Sequence, residues 1–224
     1  MNTAILKALI KKDWYLHRYL ILGYLMAGFA ALMMVSIPSE FWFSVGSICL
    51  ITVLIALGFH LPVSMVIEER AQHTLPFIMS LPLSVREYTT AKIFANLLIY
   101  LVPWLILVTA SYILILTRDN LPDGLIPFVT IILVELMVSS CLILSVALIT
   151  ESQAWTVGAV ILGNIILQGF MGFISNLPSI KTYITGSSIV WNTTSILIVL
   201  AELTVMFVLL AITFFVQFKK TDFI

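Results

Sequence analysis

The chain has 224 residues, of which 61% are apolar and only 10% are charged, and its formal net charge is zero. Because soluble domains carry about 25% charged residues, this composition excludes a soluble globular domain, a disordered chain and a collagen. Without an excess of basic residues, a nucleic-acid partner is not expected. Continuous apolar runs exclude an outer-membrane barrel, whose strands alternate apolar and polar side chains. The sequence therefore predicts an all-α, polytopic membrane protein surrounded by membrane lipid.

The segment before the first apolar run is predicted to form an N-terminal interfacial amphipathic helix in the headgroup layer. One face carries apolar side chains at helical spacing and the opposite face carries basic side chains, a pattern typical of interfacial helices. The apolar set is Ile5, Leu9, Leu16 and Leu20, and the basic set is Lys7, Lys11 and Arg18. The alternative, held equally, is a basic leader that only orients the chain.

Six apolar segments follow, each long enough to cross a bilayer, which takes about 20 helical residues. Proline, glycine and charged residues separate them, as they do at the ends of helices. The predicted spans are 19–37, 43–67, 93–116, 125–149, 155–174 and 195–218. Together they form one transmembrane domain, residues 1–224.

The basic residues predict the orientation of these spans. With six spans both termini lie on the same side, and every Lys and Arg falls on that side except Arg118 and Lys181. Because cytoplasmic segments are enriched in Lys and Arg, we expect both termini in the cytoplasm. The expected location is the plasma membrane or the inner membrane of a cell.

The longest cytoplasmic segment, residues 68–92, is predicted to be ordered. Its Ser84 and Glu87 form a capping box, in which both side chains satisfy free backbone N–H groups at a helix start. Upstream, Leu75, Ile78 and Met79 recur at helical spacing and predict a short helix with an apolar face. An ordered cytoplasmic element of this kind suits the docking of another protein.

This segment resembles the cytoplasmic loop of ABC type-2 exporter permeases, which has an E-R-x-x-G-T element, an L-P-[VL]-S-R-x-E element and a Lys that opens the third helix. His73 stands where the family has Gly, and Val85 where it often has a basic residue. The resemblance extends to the basic leader Lys11-Lys12-Asp13 and to the C-terminal segment 219–223. The matching loop residues are Glu69, Arg70, Thr74, Ser80, Leu81, Pro82, Leu83, Ser84, Glu87 and Lys92.

The resemblance implies that the chain is the permease subunit of an ATP-driven ABC exporter for a hydrophobic or amphipathic peptide, drug or lipid. It implies a separate ABC ATPase partner that binds ATP and Mg²⁺, and a second permease copy or homologue. The sequence has no G-x-x-x-x-G-K-[ST] motif, so we expect no enzymatic activity, cofactor or metal in this chain. The resemblance also implies that the short helix, within residues 69–80, is a coupling helix that receives the movement of the ATPase. The predicted ATPase-coupling residues are Glu68, Glu69, Arg70, Thr74, Leu75, Ile78, Met79, Leu81, Pro82, Ser84, Arg86, Glu87 and Lys92.

Polar residues at hydrocarbon depth form a second candidate site. Ionisable groups there cost about 2.5–3.5 kcal/mol at a helix centre and are often functional. Five side chains are predicted to line the outer half of a translocation path: Glu135, Ser139, Asn164, Gln168 and Glu202. One alternative is that they only hydrogen-bond between helices. Another is an ion- or proton-coupled secondary transporter that uses Glu135 and Glu202.

The fifth span also carries a pair of small residues, Ala159 and Gly163, one helical turn apart. Such pairs allow two helices to approach closely. The expected neighbour is either another helix of this chain or the same helix of a second copy.

Overall fold

The computed structural model describes the backbone of residues 3–69 and 85–219 and the side chains of 7–69 and 87–219. Within these residues all regular secondary structure is helical, with no strand. A π-helical turn, Val63–Glu68, directly continues the second helix. The helices are α1 (Thr3–Val35), α2 (Glu40–Pro62), α3 (Val85–Thr117), α4 (Leu125–Thr150), α5 (Gln153–Asn176), α6 (Pro178–Ile184) and α7 (Thr193–Lys219).

Six of these helices are long and apolar enough to cross a membrane, and they coincide with the six predicted spans. The predicted all-α class and the number of spans are therefore confirmed. Most helices extend past the predicted ends, because a helix continues beyond the apolar run until proline, glycine or a cluster of polar residues interrupts it. The short helix α6 lies between the fifth and sixth spans.

The N-terminal segment differs from the prediction. Residues Thr3–Val35 form one unbroken helix of 33 residues, so no separate interfacial helix precedes the first span. No proline interrupts this stretch, and its only interior glycines, Gly23 and Gly28, are tolerated within the helix. The polar residues Lys12, Asp13 and His17 of its first half also bond to residues of neighbouring helices, which holds the segment against the bundle.

Helix α4 lies at the centre of the bundle and packs against α2, α3, α5 and α7. Its side chains Ile131, Leu136 and Leu144 are fully buried. Helix α1 covers α2 and α3 on one side. By contrast, α5 and α7 expose large apolar side chains such as Ile165 and Phe207, as helices do that face lipid tails.

Two glycines allow close backbone contacts. A Cβ atom added at Gly46 of α2 would lie 2.7 Å from the carbonyl oxygen of Ala31 in α1. The absence of a side chain at Gly46 therefore allows the backbones of α1 and α2 to approach closely. A Cβ at Gly124 would collide with the carbonyl oxygen of Tyr183. The Gly124 N–H donates to the Gly186 carbonyl oxygen at 2.9 Å. The α3–α4 connection is thereby attached to the residues that follow α6.

Candidate functional site

Four charged side chains meet where α1, the end of the π-helical turn and the start of α3 come together. Lys92 donates to the Asp13 carboxylate at 3.0 Å and pairs with Glu69 Oε2 at 2.8 Å. Lys12 pairs with Glu69 Oε1 at 2.8 Å and with Asp13 Oδ1 at 3.3 Å. We call Lys12, Asp13, Glu69 and Lys92 the charge network. It contains two acidic and two basic groups, so its formal charge is zero.

The centre of the charge network is excluded from solvent. The residues Asp13 and Lys92 are 2% and 1% exposed. Buried charges are costly unless they are paired and hydrogen-bonded, and here each has an opposite charge within 3.3 Å. The Tyr88 hydroxyl also donates to Glu69 Oε2 at 3.3 Å. The network is therefore a buried and paired element, not a set of solvated surface charges.

Glu69 titrates under two opposing influences. Burial alone would raise its pKa, but the Lys92 charge and the hydrogen bonds from Lys12 and Lys92 have the larger combined effect, and the pKa of Glu69 is lowered from its ordinary value. A lowered carboxyl pKa means that the ionised form is stabilised in the folded state. Glu69 is therefore an anion in the folded protein at neutral pH.

Local sequence features bring α1 and α2 into register beside this network. Pro62 lacks a backbone N–H, and the helix continues beyond it as the wider π-helical turn. In that turn, the Ser64 hydroxyl lies 2.9 Å from His17 Nε2, and His17 Nδ1 donates to the Asp13 carbonyl oxygen at 2.7 Å. These bonds hold the α1 segment that carries Asp13 against the turn that ends beside Glu69.

The predicted ATPase-coupling residues divide into two groups. Glu69 and Lys92 belong to the charge network, Glu68 is exposed at the end of the π-helical turn, and Glu87 lies in the first turn of α3. The side chain of Arg86 lies outside the described residues. The remaining residues also lie outside them, so the coupling helix stays a prediction: Arg70, Thr74, Leu75, Ile78, Met79, Leu81, Pro82 and Ser84.

Two members of the charge network were not predicted as site residues. Lys12 and Asp13 were only recognised as part of a basic leader. A signal was present, because Asp13 is the only acidic residue before Glu40. A buried acidic side chain needs a basic partner. Besides the adjacent Lys12, that partner is Lys92, which is 79 positions away in the sequence.

The two intramembrane glutamates lie on adjacent helices at similar distances from the helix starts. Glu135 belongs to α4 and Glu202 to α7, and these helices pack against each other along much of their length. Among the described residues, neither carboxylate oxygen of Glu202 has a hydrogen-bond partner, although the side chain is buried.

The other predicted translocation-path residues lie elsewhere. On the α4–α5 side, Ser139 faces Gly163 across a narrow space that Asn164 also lines. The Asn164 amide donates to the Val160 carbonyl oxygen of its own helix at 2.9 Å. Gln168 is exposed on the outside of α5. The five residues therefore do not line a single pocket in this structure.

The small-residue pair on α5 packs within the chain. Ala159 and Gly163 are buried, and the Ser139 hydroxyl of α4 lies 3.9 Å from the position of a Cβ added at Gly163. Of the two neighbours that the pattern allowed, the structure places a helix of the same chain there.

The described residues also contain no group of three or more His, Cys, Asp or Glu side chains that could hold a metal ion.

Together, the fold and the charge network define a multi-pass helical membrane protein in which buried ion pairs join three helices at one end of the bundle. Comparisons with protein-family models, with curated proteins and with solved structures find no match. The resemblance to ABC type-2 permeases therefore rests on the loop, leader and span pattern of the sequence.

Proposed function

We propose that this chain is the permease subunit of an ATP-driven exporter, powered by a separate ATPase that docks on residues 68–92. The exported substrate is hydrophobic or amphipathic, and both termini lie in the cytoplasm. The observation that carries the proposal is that Lys92 is bonded to both Glu69 and Asp13 inside the protein. This arrangement would connect the docking segment to three membrane helices at once.

The mechanical consequence follows from where these residues lie. Glu69 immediately precedes the segment 70–84, and Lys92 lies two turns into the helix that follows it. The 2.8 Å ion pair between them joins the two sides of the segment at its base. A force applied to the segment would therefore displace the π-helical turn and α3 together, and Asp13 would transmit part of it to α1. A loose linker would absorb such a force.

The central helix would carry the displacement further. Both α2 and α3 pack against α4, which in turn packs against α5 and α7. The Tyr100 hydroxyl of α3 donates to the Leu136 carbonyl oxygen of α4 at 3.4 Å, and Trp104 Nε1 donates to the Leu133 carbonyl oxygen at 2.9 Å. A movement of α3 would thus reach the region of α4 that holds Glu135.

The proposal is tested by searching the neighbouring reading frames for a P-loop ATPase and reconstituting this chain with it; absence of co-purification with any such ATPase would contradict the proposal. The two proteins are co-expressed, purified through a tag on the permease and placed in proteoliposomes with a panel of fluorescent amphipathic substrates. We expect co-purification and substrate movement that requires ATP, with an ATPase variant lacking its P-loop lysine as the control. Movement driven by a proton gradient without any nucleotide would contradict the proposal.

A second candidate function is an ion- or proton-coupled secondary transporter, and one observation favours it. The buried Glu202 carboxyl group has no hydrogen-bond partner among the described residues, and its helix α7 packs against α4, which carries Glu135. Carboxyl groups at this depth serve as relays in many transporters. The same proteoliposomes separate the two candidates, because only a secondary transporter would move substrate with a proton gradient alone.

A further inference from the structure

A cavity lies between α1, α2, α3, α4 and α5, near the end of the bundle that carries Glu40. Its volume of about 380 Å³ falls within the range of roughly 300–1,000 Å³ of small-molecule sites. Its lining is almost entirely apolar and includes two phenylalanines, Phe43 and Phe128. The lining hydroxyls of Ser44 and Ser111 each donate to a carbonyl oxygen of their own helix.

The lining determines what the cavity can hold. An ordered internal water needs two to four polar partners, and the serine hydroxyls that line this cavity offer few. The cavity is therefore suited to an apolar ligand, and its size fits the body of a small lipophilic molecule.

A recess adjoins the cavity at its outer end and supplies a charge. Cavity and recess share the lining residues Phe43, Ser44, Leu121 and Leu125. Among the described residues that line the recess, Glu40 is the only charged one. A neighbouring recess contains Asp119 and Asp123 with one basic residue, Arg118, and so also carries a net negative charge. A ligand that extends from the cavity would meet carboxylates.

We propose that this cavity binds a lipophilic cation, with the apolar body among the helices and the positive group beside Glu40. The inference rests on the proposed exporter function and adds to it the chemical class of the substrate. Binding itself needs no ATPase, so the site can be tested on the permease alone. An anion of the same shape would be repelled by the carboxylates around the opening.

The test uses tetraphenylphosphonium and tetraphenylborate, two probes of nearly the same shape and opposite charge. The full chain is placed in phosphatidylcholine nanodiscs, and binding of each labelled probe is measured by equilibrium dialysis against empty nanodiscs. We expect saturable binding of tetraphenylphosphonium and none of tetraphenylborate. Glu40→Gln should weaken cation binding by up to about fivefold, the effect of one exposed ion pair. The matched change Glu151→Gln, at the opposite end of α4, should leave it unchanged.

A second pair of variants tests the cavity itself. Ser47 lines the cavity, and Thr52, one turn further along α2, is exposed on the outside of the bundle. Ser47→Phe should abolish tetraphenylphosphonium binding, whereas Thr52→Phe should retain it. If Ser47→Phe fails to fold, the comparison of Glu40→Gln with Glu151→Gln decides alone, because Glu40 is an exposed side chain.

Three results would overturn the inference. The first is equal binding of the two probes, and the second is equal weakening of cation binding by Glu40→Gln and Glu151→Gln. The third is a phospholipid that native mass spectrometry finds bound to this chain, that is lost in Ser47→Phe and that tetraphenylphosphonium does not displace. The exporter proposal fails differently. Specific cation binding without any ATP-driven movement would leave the site in place and contradict only the proposed energy source.

Discussion

The ammonium group of Lys92 lies 3.0 Å from the carboxylate of Asp13, although the two residues are 79 positions apart in the chain. The contact joins the first and third membrane helices, and both side chains are almost completely buried. Through Glu69, the same lysine also reaches the end of the second helix. One cation thus connects three helices on both sides of the segment that we propose as the docking site.

Removing this cation should strongly destabilise the protein. Lys92→Met leaves Asp13 buried with Lys12 as its remaining partner, and breaking a buried pair costs about 3–5 kcal/mol. We expect a loss near the lower end, because Lys12 compensates in part. The measurement is denaturant unfolding in detergent followed by tryptophan fluorescence.

Two further variants control for this prediction. Lys181→Met removes an exposed lysine at the opposite end and should change the free energy of unfolding by less than about 0.5 kcal/mol. The double variant Asp13→Leu with Lys92→Met should recover part of the loss, since a hydrophobic pair can replace a buried ion pair. Equal effects of Lys92→Met and Lys181→Met would show that the network is not a stabilising element.

The charge network should also make stability depend on acid pH. The pKa of Glu69 is lowered in the folded protein from its ordinary value of 4.5. Its stabilising contribution is therefore fully present above about pH 4.5 and is lost as the pH falls through the lower folded pKa. The stability difference between wild type and Glu69→Gln should be constant near neutrality and shrink below this pH. Glu68→Gln, which changes an exposed neighbouring carboxylate, serves as the control, and the same trend in it would refute the assignment.

Close packing of α1 and α2 should make Gly46 intolerant of a side chain. Gly46→Ala places a methyl group 2.7 Å from backbone atoms of α1, and such overpacking costs about 1–3 kcal/mol. Gly23→Ala is the matched control, because no atom lies within 4 Å of the added Cβ. That change should be neutral or slightly stabilising, since alanine favours the helix over glycine by about 0.5–1 kcal/mol. Similar melting temperatures for the two variants would contradict the packing described for Gly46.

Negative charges on the predicted coupling helix should prevent docking of the proposed ATPase. Replacing Leu75, Ile78 and Met79 with Asp should abolish ATP-dependent transport and co-purification with the ATPase, while membrane insertion stays intact. The reason is that docking on this face would bury the introduced carboxylates, which is costly. A triple change to Asp at the exposed residues Thr182, Ser187 and Ser188 adds the same charge at the other end of the bundle. Unchanged transport by the first variant would remove the docking site from residues 68–92.

The intramembrane glutamates should affect transport more than folding. Glu135→Gln and Glu202→Gln keep the size of each side chain but remove its ability to ionise, and we expect lower transport at unchanged expression. Glu202→Leu should raise the free energy of unfolding by about 1 kcal/mol, because it removes a buried polar group without a partner. Loss of expression without any change in specific transport would favour a purely structural role.

The membrane class and the six spans were predictable from the sequence, because the length of an apolar run is a local property. A stretch of about 20 apolar residues must cross the bilayer as a helix, whatever its neighbours are. The end of the first helix before Pro38 and the start of the fourth after Gly124 were predictable for the same reason. Helix-ending residues act within a few positions of themselves.

The partners of the polar residues were decided only by the tertiary structure. Spans such as α2 and α4 are apolar on all sides, so periodicity does not indicate which face meets which helix. The sequence therefore did not indicate that Asp13 pairs with Lys92. It also did not indicate that Ser139 faces α5, or that the helix carrying Glu202 packs against α4. Helix rotation and order depend on how all the side chains pack together, which is a property of the assembled bundle and not of any one segment.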